Sequence, residues 1–255
     1  MDARTLLDAW ARRADEDGWA AAAHRFTRSR PILAAYVFDH RLADWRFLLP
    51  EPPRGDVLLA GGAVSCAPLL LAESARQVSV PASPAEAALL ACRAEEEGCA
   101  NVAAVGGVPD GERYDLVALM RSAPVRPVLP GRPLRMLLGM AGHVRPGGHL
   151  YVEVDLPSAV VPPAVVRAFL RGRGFDRVTF YWPRPGFLGG EMYMQMGDRR
   201  LQRYYLGQMF FGTSVPRRAI RAALRAASAL GLFEMILPGY VVIARRGPGT
   251  GRRSR

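Results

Sequence analysis

Apolar residues recur at helical spacing at the start of the chain, and this pattern changes after Pro50. Over residues 1–50 they favour helices with one buried face. The residues that carry the pattern are Leu6, Leu7, Trp10, Trp19, Ala22 and Ala23. Pro52, Pro53 and Gly55 then interrupt the chain, so we expect a helical N-terminal section that ends near residue 50.

From Asp56 onward, short apolar runs alternate with longer amphipathic segments. The runs predict seven strands, at residues 57–60, 78–80, 101–105, 114–120, 149–154, 177–182 and 240–244. The segments between them predict helices at residues 67–75, 84–97, 134–141, 162–172, 201–211 and 216–230. This alternation is typical of a mostly parallel sheet with helices on both faces. We expect the last strand to pair antiparallel with the sixth.

Two local signals mark where elements begin. Ser83 is followed by Pro84 and, three residues after the serine, by Glu86, which predicts a capped helix start. Residues 145–148 read Arg-Pro-Gly-Gly and predict a turn ahead of the fifth strand.

The same pattern predicts one α/β domain with additions at its ends. We expect a helical section over residues 1–50 and an α/β domain over residues 51–246, with a helical insertion at about 186–232. Residues 247–255 are rich in arginine and glycine and predict a disordered basic tail. A chain of 255 residues is long enough to bury one good core.

Composition narrows the range of partners. The formal net charge is +11, and every basic residue other than histidine is an arginine. Such a bias is typical of a GC-rich genome, so the charge is weak evidence for nucleic acid and we disfavour that partner.

The three cysteines, Cys66, Cys92 and Cys99, fit no metal spacing and suggest reduced thiols. No signal peptide or membrane span is expected, which favours a cytoplasmic location.

Three short segments form a recognisable set: Gly61 after the first strand, Tyr114–Val117 on the fourth and Val144–Leu150 at the fifth. They resemble class I methyltransferases that use S-adenosylmethionine. Resemblance to a bacterial subgroup, often found beside sugar or natural-product pathways, lies at Trp45–Pro50 and Gly174–Pro185. It covers roughly residues 42–246. The resemblance implies a Rossmann-like α/β fold with a mostly parallel, seven-stranded sheet, an antiparallel last strand, and S-adenosylmethionine as cofactor.

The resemblance places the methyl donor against the turns that follow the first three strands. The candidate cofactor-binding positions are Gly61, Gly62, Ala63, Ser65, Pro81, Ala82, Val108 and Asp110. Leu59 and Pro81 stand where the family has acids that contact the donor, and Ala63 and Ser65 stand where it has glycines. Because proline has neither a side-chain acceptor nor an N–H group, it cannot hold the ribose hydroxyls. These departures predict weakened donor binding.

A substrate would lie near the same edge of the sheet. The candidate pocket residues are Met120, His143, Glu153, Asp155, Tyr181 and Trp182. Glu153 and Asp155 alternate near the end of the fifth strand and therefore share a face, although a solvated strand end explains them equally well. Core packing is the competing explanation for the two aromatic residues, and a surface role for His143. No catalytic residue and no metal site is predicted.

Three functional hypotheses follow from these residues. The first is a methyltransferase that acts on a small molecule, such as a sugar or natural product, with an eroded donor site. The second is a catalytically inactive relative that serves as a partner or scaffold subunit of another enzyme. The third, a distant one, is an RNA-associated protein of this fold, which rests only on net charge. A homo- or hetero-oligomer is compatible with any of them.

Overall fold

The computed structural model describes residues 3–108, 111–120, 139–155, 160–184, 192–208, 215–230 and 232–248. The strands in chain order are β1 Asp56–Ala60, β2 Gln77–Pro81, β3 Val102–Val105, β4 Tyr114–Leu119, β5 Val144–Val154, β6 Phe175–Arg184, β7 Met192–Gln195 and β8 Tyr240–Arg246. The helices are α1 Ala3–Asp17, α2 Trp19–Thr27, α3 Pro31–Phe38, α4 Ala67–Ala72, α5 Pro84–Glu96, α6 Pro163–Gly172, α7 Arg199–Gln208 and α8 Val215–Ala229. Short 3-10 segments lie at His40–Leu48, Ala141–His143 and Phe233–Ile236.

All eight of these strands belong to one sheet, in the order β3-β2-β1-β4-β5-β8-β6-β7. The strands from β3 to β5 are mutually parallel, and β8 runs antiparallel between β5 and β6. The mostly parallel sheet and the antiparallel pairing of the last strand with the sixth are therefore confirmed. The count of seven strands was wrong, because Met192–Gln195 forms an additional edge strand on β6. Met192, Tyr193 and Met194 are successive apolar residues, so the segment lacks the period-two alternation that would reveal a strand.

The sheet separates two apolar clusters, which we call the first and second face. The first face is covered by α1–α5, and its sheet residues include Leu59, Met120 and Tyr151. The second face is covered by α6 and by the Phe233–Ile236 segment, and its sheet residues include Val152 and Trp182. Successive residues along a strand face opposite sides of the sheet, so each central strand contributes to both clusters.

The N-terminal helices pack directly onto the α/β core. Trp10 stacks on Trp19 with ring centroids 5.2 Å apart, and both side chains are buried. The Glu96 carboxylate at the end of α5 accepts hydrogen bonds from the backbone N–H groups of Trp19 and Ala20, which lie in the first turn of α2. These contacts satisfy donors that a helix start leaves unpaired. The predicted helical section is thus joined to α5 by packing and by capping.

Charged residues tie the amino ends of three strands together. Asp115 accepts hydrogen bonds from the Asp56 backbone N–H at 2.8 Å and from Arg145 Nη1 at 2.7 Å. Asp56 also pairs with Arg76 at 2.5 Å and with Arg145 at 2.9 Å. These two guanidinium groups lower the pKa of the Asp56 carboxyl, and Arg76 has the larger effect. Above the unfolded-state pKa of about 4, the ionised Asp56 carboxyl therefore adds to the free energy of unfolding. This contribution is lost as the pH falls through the lowered pKa of the folded state.

The segment 145–148, predicted as a turn, lies within β5, where the pairing with β4 shifts register between Tyr114 and Leu116. β5 therefore begins at Val144, ahead of the predicted start at residue 149. Of the predicted helix 134–141, residues 134–138 lie outside the described residues. Of the predicted tail, residues 249–255 lie outside them, whereas Gly247 donates a backbone hydrogen bond of 2.8 Å to Gly174.

In the part of the chain described above, no helix combines the length and the apolarity needed to cross a bilayer.

Gly148 is the glycine of this segment that the fold requires. A Cβ at this position would lie 2.8 Å from the Asp115 carbonyl oxygen and 3.1 Å from that of Arg145, both backbone atoms that cannot rotate away. We expect Gly148→Ala to lower the free energy of unfolding by about 2 kcal/mol or more. A Cβ at Gly142 would meet no atom within 4 Å, so Gly142→Ala should change it by less than about 0.5 kcal/mol. Urea denaturation of both variants measures the difference, and equal values would contradict the packing described.

Candidate functional site

The carboxyl ends of β1, β4 and β5 bring three residues to one edge of the sheet. Ala60 pairs with Leu119, and Leu119 pairs with Val152. The next residues along these strands are Gly61, Met120 and Glu153, which therefore lie side by side. Parallel sheets hold ligands beyond this edge, so it is the candidate site.

The turn that follows β1 is closed by its own hydrogen bonds. Gly61 and Gly62 adopt φ values of 79° and 78°, in the left-handed region that glycine enters without strain. The Ser65 hydroxyl donates to the Gly62 carbonyl at 2.7 Å and accepts from the Ala67 N–H at 3.2 Å. Ala63 and Ser65, at the positions where the family has glycine, are 4% and 0% exposed. The turn thus presents little free backbone to a ligand.

A tyrosine from the N-terminal helices covers this turn. Tyr36 of α3 is 1% exposed and packs in the core of the first face. A Cβ built on Gly62 would lie 3.7 Å from the Tyr36 hydroxyl oxygen and 3.6 Å from Met120 Sδ. Burial, together with the charges of Glu153 and Glu86, raises the pKa of Tyr36 far above its usual range. Tyr36 therefore stays a neutral phenol.

Glu153 is a buried carboxylate among aromatic residues. It is 6% exposed, and Oε1 accepts a hydrogen bond of 2.8 Å from the Tyr151 hydroxyl. Trp45 stacks on Tyr151 with a centroid distance of 3.8 Å. Burial and the Glu153 charge raise the pKa values of Tyr151 and Tyr193. Tyr151 and Glu153 alternate on β5 and so share the first face.

Trp45 also carries a buried polar atom without a partner. Its side chain is 0% exposed, and no hydrogen-bond acceptor for Nε1 is found in the described part of the chain. A buried donor left in this state costs about 1–3 kcal/mol. The cluster formed by Tyr36, Trp45, Tyr151, Glu153 and Tyr193, which we call the tyrosine–glutamate cluster, thus has a donor available for an acceptor.

The other predicted donor positions lie at the ends of β2 and β3. Pro81 pairs with Val105, and Ala82 donates its N–H to the Val105 carbonyl at 3.1 Å. Val108 packs against the second face, and Asp110 lies outside the described residues. Ser83 and Glu86 form the predicted capping box, in which Glu86 Oε2 accepts from both the Ser83 N–H and its hydroxyl.

The predicted substrate-pocket residues do not all lie together. Met120, Glu153 and Tyr181 lie on the first face, and Asp155 follows the end of β5. Trp182 is only 6% exposed and packs edge-to-face on Phe233 within the second face, so core packing accounts for it. His143 immediately precedes β5, at the amino end of the sheet, and its Nδ1 lies 3.1 Å from the Glu112 carbonyl. It is at the opposite edge because the strand begins right after it.

Sequence reasoning missed Tyr36, Tyr151 and Tyr193. Tyr151 could have been found, because it alternates with Glu153 on one strand. Tyr36 is distant in sequence and reaches the turn only through the packing of α3, and Tyr193 lies on the unpredicted strand β7. Within the described residues, no group of three His, Cys, Asp or Glu side chains could hold a metal ion.

The strand order decides the fold. The parallel strands β3-β2-β1-β4-β5 are continued by an antiparallel last strand that lies between β5 and β6. The family resemblance implied a mostly parallel sheet with an antiparallel last strand, and this is confirmed. The chain has the class I methyltransferase fold. The strand β7 extends this fold at one edge.

No protein-family model matches the sequence, and no curated protein matches it either. Solved structures do match. One is the S-adenosylmethionine-dependent methyltransferase of Thiobacillus denitrificans in complex with S-adenosyl-L-homocysteine, at 16% identity and a TM-score of 0.45, covering 87% of this chain and 96% of that one.

Two further structures show the range of proteins with a similar fold. Phosphoethanolamine-type N-methyltransferase 2 of Haemonchus contortus matches at 12% identity and a TM-score of 0.49, over 88% of this chain and 59% of that one. The cyclase SpnF matches at 17% identity and a TM-score of 0.45, over 82% and 81% of the two chains.

S-adenosylmethionine does not fit the described residues in the way usual for this fold. Leu59, at the position of the first acid, is 0% exposed and belongs to the core of the first face. Pro81, at the position of the second, offers no acceptor. Tyr36 covers the Gly62 backbone that could meet a ligand. Neither Leu59 nor Pro81 supplies the anchor that the family resemblance places there.

Cys66 reports whether this turn is closed. Its side chain is 2% exposed, its thiol donates to the Asp39 carbonyl at 3.1 Å, and burial raises its pKa to about 11. Since the thiolate is the reactive form, we expect Cys66 to be inert to an aromatic disulfide reagent at pH 8. Cys92 and Cys99 are partly exposed and should react. Two fast thiols in the native protein and a third only after denaturation are expected.

The control for this titration is Cys66→Ala, which should give the same two fast thiols. Three fast thiols in the natural protein, with two in the variant, would show that the turn is open.

Proposed function

We propose that this chain is a methyltransferase-fold protein that does not bind S-adenosylmethionine and acts as a non-catalytic partner of another enzyme. The observation that carries the proposal is the closed turn after β1, where the Gly62 carbonyl accepts the Ser65 hydroxyl and the buried Tyr36 side chain covers the glycine.

The energetics of displacing Tyr36 support this proposal. A ligand that takes its place would remove a large aromatic side chain from its packing, which costs about 3–5 kcal/mol where such a ring is deleted. The residues at positions 59 and 81 offer no compensating ionic contact.

A second candidate is a methyltransferase for a small molecule such as a sugar or natural product. Two observations favour it: the backbone of Gly61 and Gly62 retains the left-handed conformation of a ligand-binding turn, and the tyrosine–glutamate cluster lies beside it. In this case Glu153 and the unpaired Trp45 Nε1 would orient polar groups of the acceptor.

Calorimetry separates the two candidates. We expect no binding heat when the full chain is titrated with S-adenosylmethionine or S-adenosylhomocysteine, which corresponds to a dissociation constant above about 1 mM. A donor-binding methyltransferase of the same fold, titrated in the same buffer, is the positive control. Micromolar binding to this chain would refute the proposal and favour the second candidate.

The partner role requires its own measurement. Co-expression with a second enzyme that is a candidate partner should give a complex of defined mass. The kcat or the soluble yield of that enzyme should fall when this chain is omitted. Separate elution and unchanged activity of every enzyme tested in this way would contradict the role.

A further inference from the structure

A cleft between α7 and α8 lies outside the tyrosine–glutamate cluster. It encloses a volume of about 450 Å³. The described residues that line it are Arg199, Arg203, Arg225, Ser228 and Ala229. Arg199 and Arg203 lie one helical turn apart on α7, and Arg225 comes from α8. The volume is within the range of small-ligand sites.

The positive charge of this cleft is not balanced by acidic residues of α7 or α8. α7 contains three arginines and α8 contains four, and neither helix contains Asp or Glu. The acids that flank α7 and α8 along the chain form no ion pair with Arg199, Arg203 or Arg225 among the described residues. Asp198 accepts the N–H groups of Arg200 and Leu201 at the start of α7, and Glu234 accepts from Gln202 Nε2 at 2.9 Å.

Among the described residues, Arg199, Arg203 and Arg225 form no ion pair with a carboxylate. Like charges that converge on one cleft repel each other, and a bound anion relieves this repulsion. Arg203 Nε donates to the Arg199 carbonyl at 3.2 Å, which orients its guanidinium and leaves the two terminal nitrogens for a ligand.

The frame of the cleft is held by a buried polar network. Gln202 and Ser228 are each 4% exposed, and the Ser228 hydroxyl donates to Gln202 Oε1 at 3.2 Å. Glu234 joins the same network and also accepts the Gly197 N–H. These bonds fix α7 against α8 and against the 3-10 segment that follows, so the three guanidinium groups are presented by a preformed support.

We propose that this cleft binds a phosphate-bearing ligand. Guanidinium groups bind phosphate oxygens through paired, charge-assisted hydrogen bonds, and three of them match a group that carries several negative charges. The same chemistry is found in a free phosphorylated molecule and in a lipid headgroup. Leu232 and Met235, exposed in the segment after α8, would contact the bilayer in the lipid case.

A second arginine cleft in the molecule provides a matched control. It lies at α1 and α2, has a volume of about 350 Å³ and is lined by Arg12, Arg13, Arg25 and Glu16 among others. Its charge is partly neutralised, because Arg13 pairs with Glu16 at 2.7 Å and with Asp17 at 3.6 Å. A general attraction between this cationic protein and anions would involve both clefts, whereas a specific site would involve only the first.

The test is a titration of the full chain with inorganic tripolyphosphate at physiological ionic strength. We expect saturable binding that Arg203→Gln/Arg225→Gln weakens by about tenfold or more, since each lost charged contact is worth about a factor of ten. Arg12→Gln/Arg25→Gln removes the same net charge and should change the affinity by less than twofold. Both variants carry exposed substitutions, and thermal melting should confirm that they remain folded.

Two further measurements define the chemical class of the ligand and its source. Citrate, a polyanion without phosphate, should bind at least tenfold more weakly than tripolyphosphate. Co-sedimentation with phosphatidylcholine vesicles that carry phosphatidic acid, lost in the same double variant, would assign the lipid source. Binding of tripolyphosphate alone would assign a soluble ligand. The proposal is overturned by no binding of either probe, by equal affinity for citrate, or by equal weakening in both double variants. RNA held by net charge alone would likewise lose affinity equally in the two double variants.

Discussion

The packing of Tyr36 over the turn after β1 connects the N-terminal helices to the edge of the sheet where ligands bind in this fold. Tyr36 is buried, and a Cβ on Gly62 would lie 3.7 Å from its hydroxyl oxygen. The helix α3 thus closes the turn from one side, and Cys66, four residues after Gly62, is buried as well. Burial and the negative charges of Glu153 and Glu86 make ionisation of Tyr36 unfavourable, so a neutral phenol covers this edge.

The two edges of the sheet have different roles. At the amino edge, Asp56, Asp115 and Arg145 neutralise one another and join three strands. The Arg-Pro-Gly-Gly segment, part of the family resemblance, belongs to this edge, where Gly148 allows β5 to approach the backbone of β4. At the carboxyl edge, charge is sparse and buried, and aromatic rings occupy the space around Glu153. Resemblance at the first edge therefore carries information about folding rather than about chemistry.

Much of the fold could be predicted from the sequence because its signals are local. The apolar runs gave the central strands, and Ser83 with Glu86 gave the start of α5, since both patterns act within a few residues. The departures at Leu59 and Pro81 were visible for the same reason. Tyr36 could not be assigned to the site, because its place depends on how α3 packs on a turn 26 residues later. β7 was missed because its pairing with β6 is a tertiary contact, and His143 was misplaced because β5 starts earlier than its apolar run.

The burial of Leu59 restricts which side chains this position accepts. A carboxylate here would be enclosed by the apolar side chains of the first face, and an unpaired buried charge destabilises a fold severely. An acid therefore cannot be introduced at position 59 by one substitution alone, because the helices above it would have to move first.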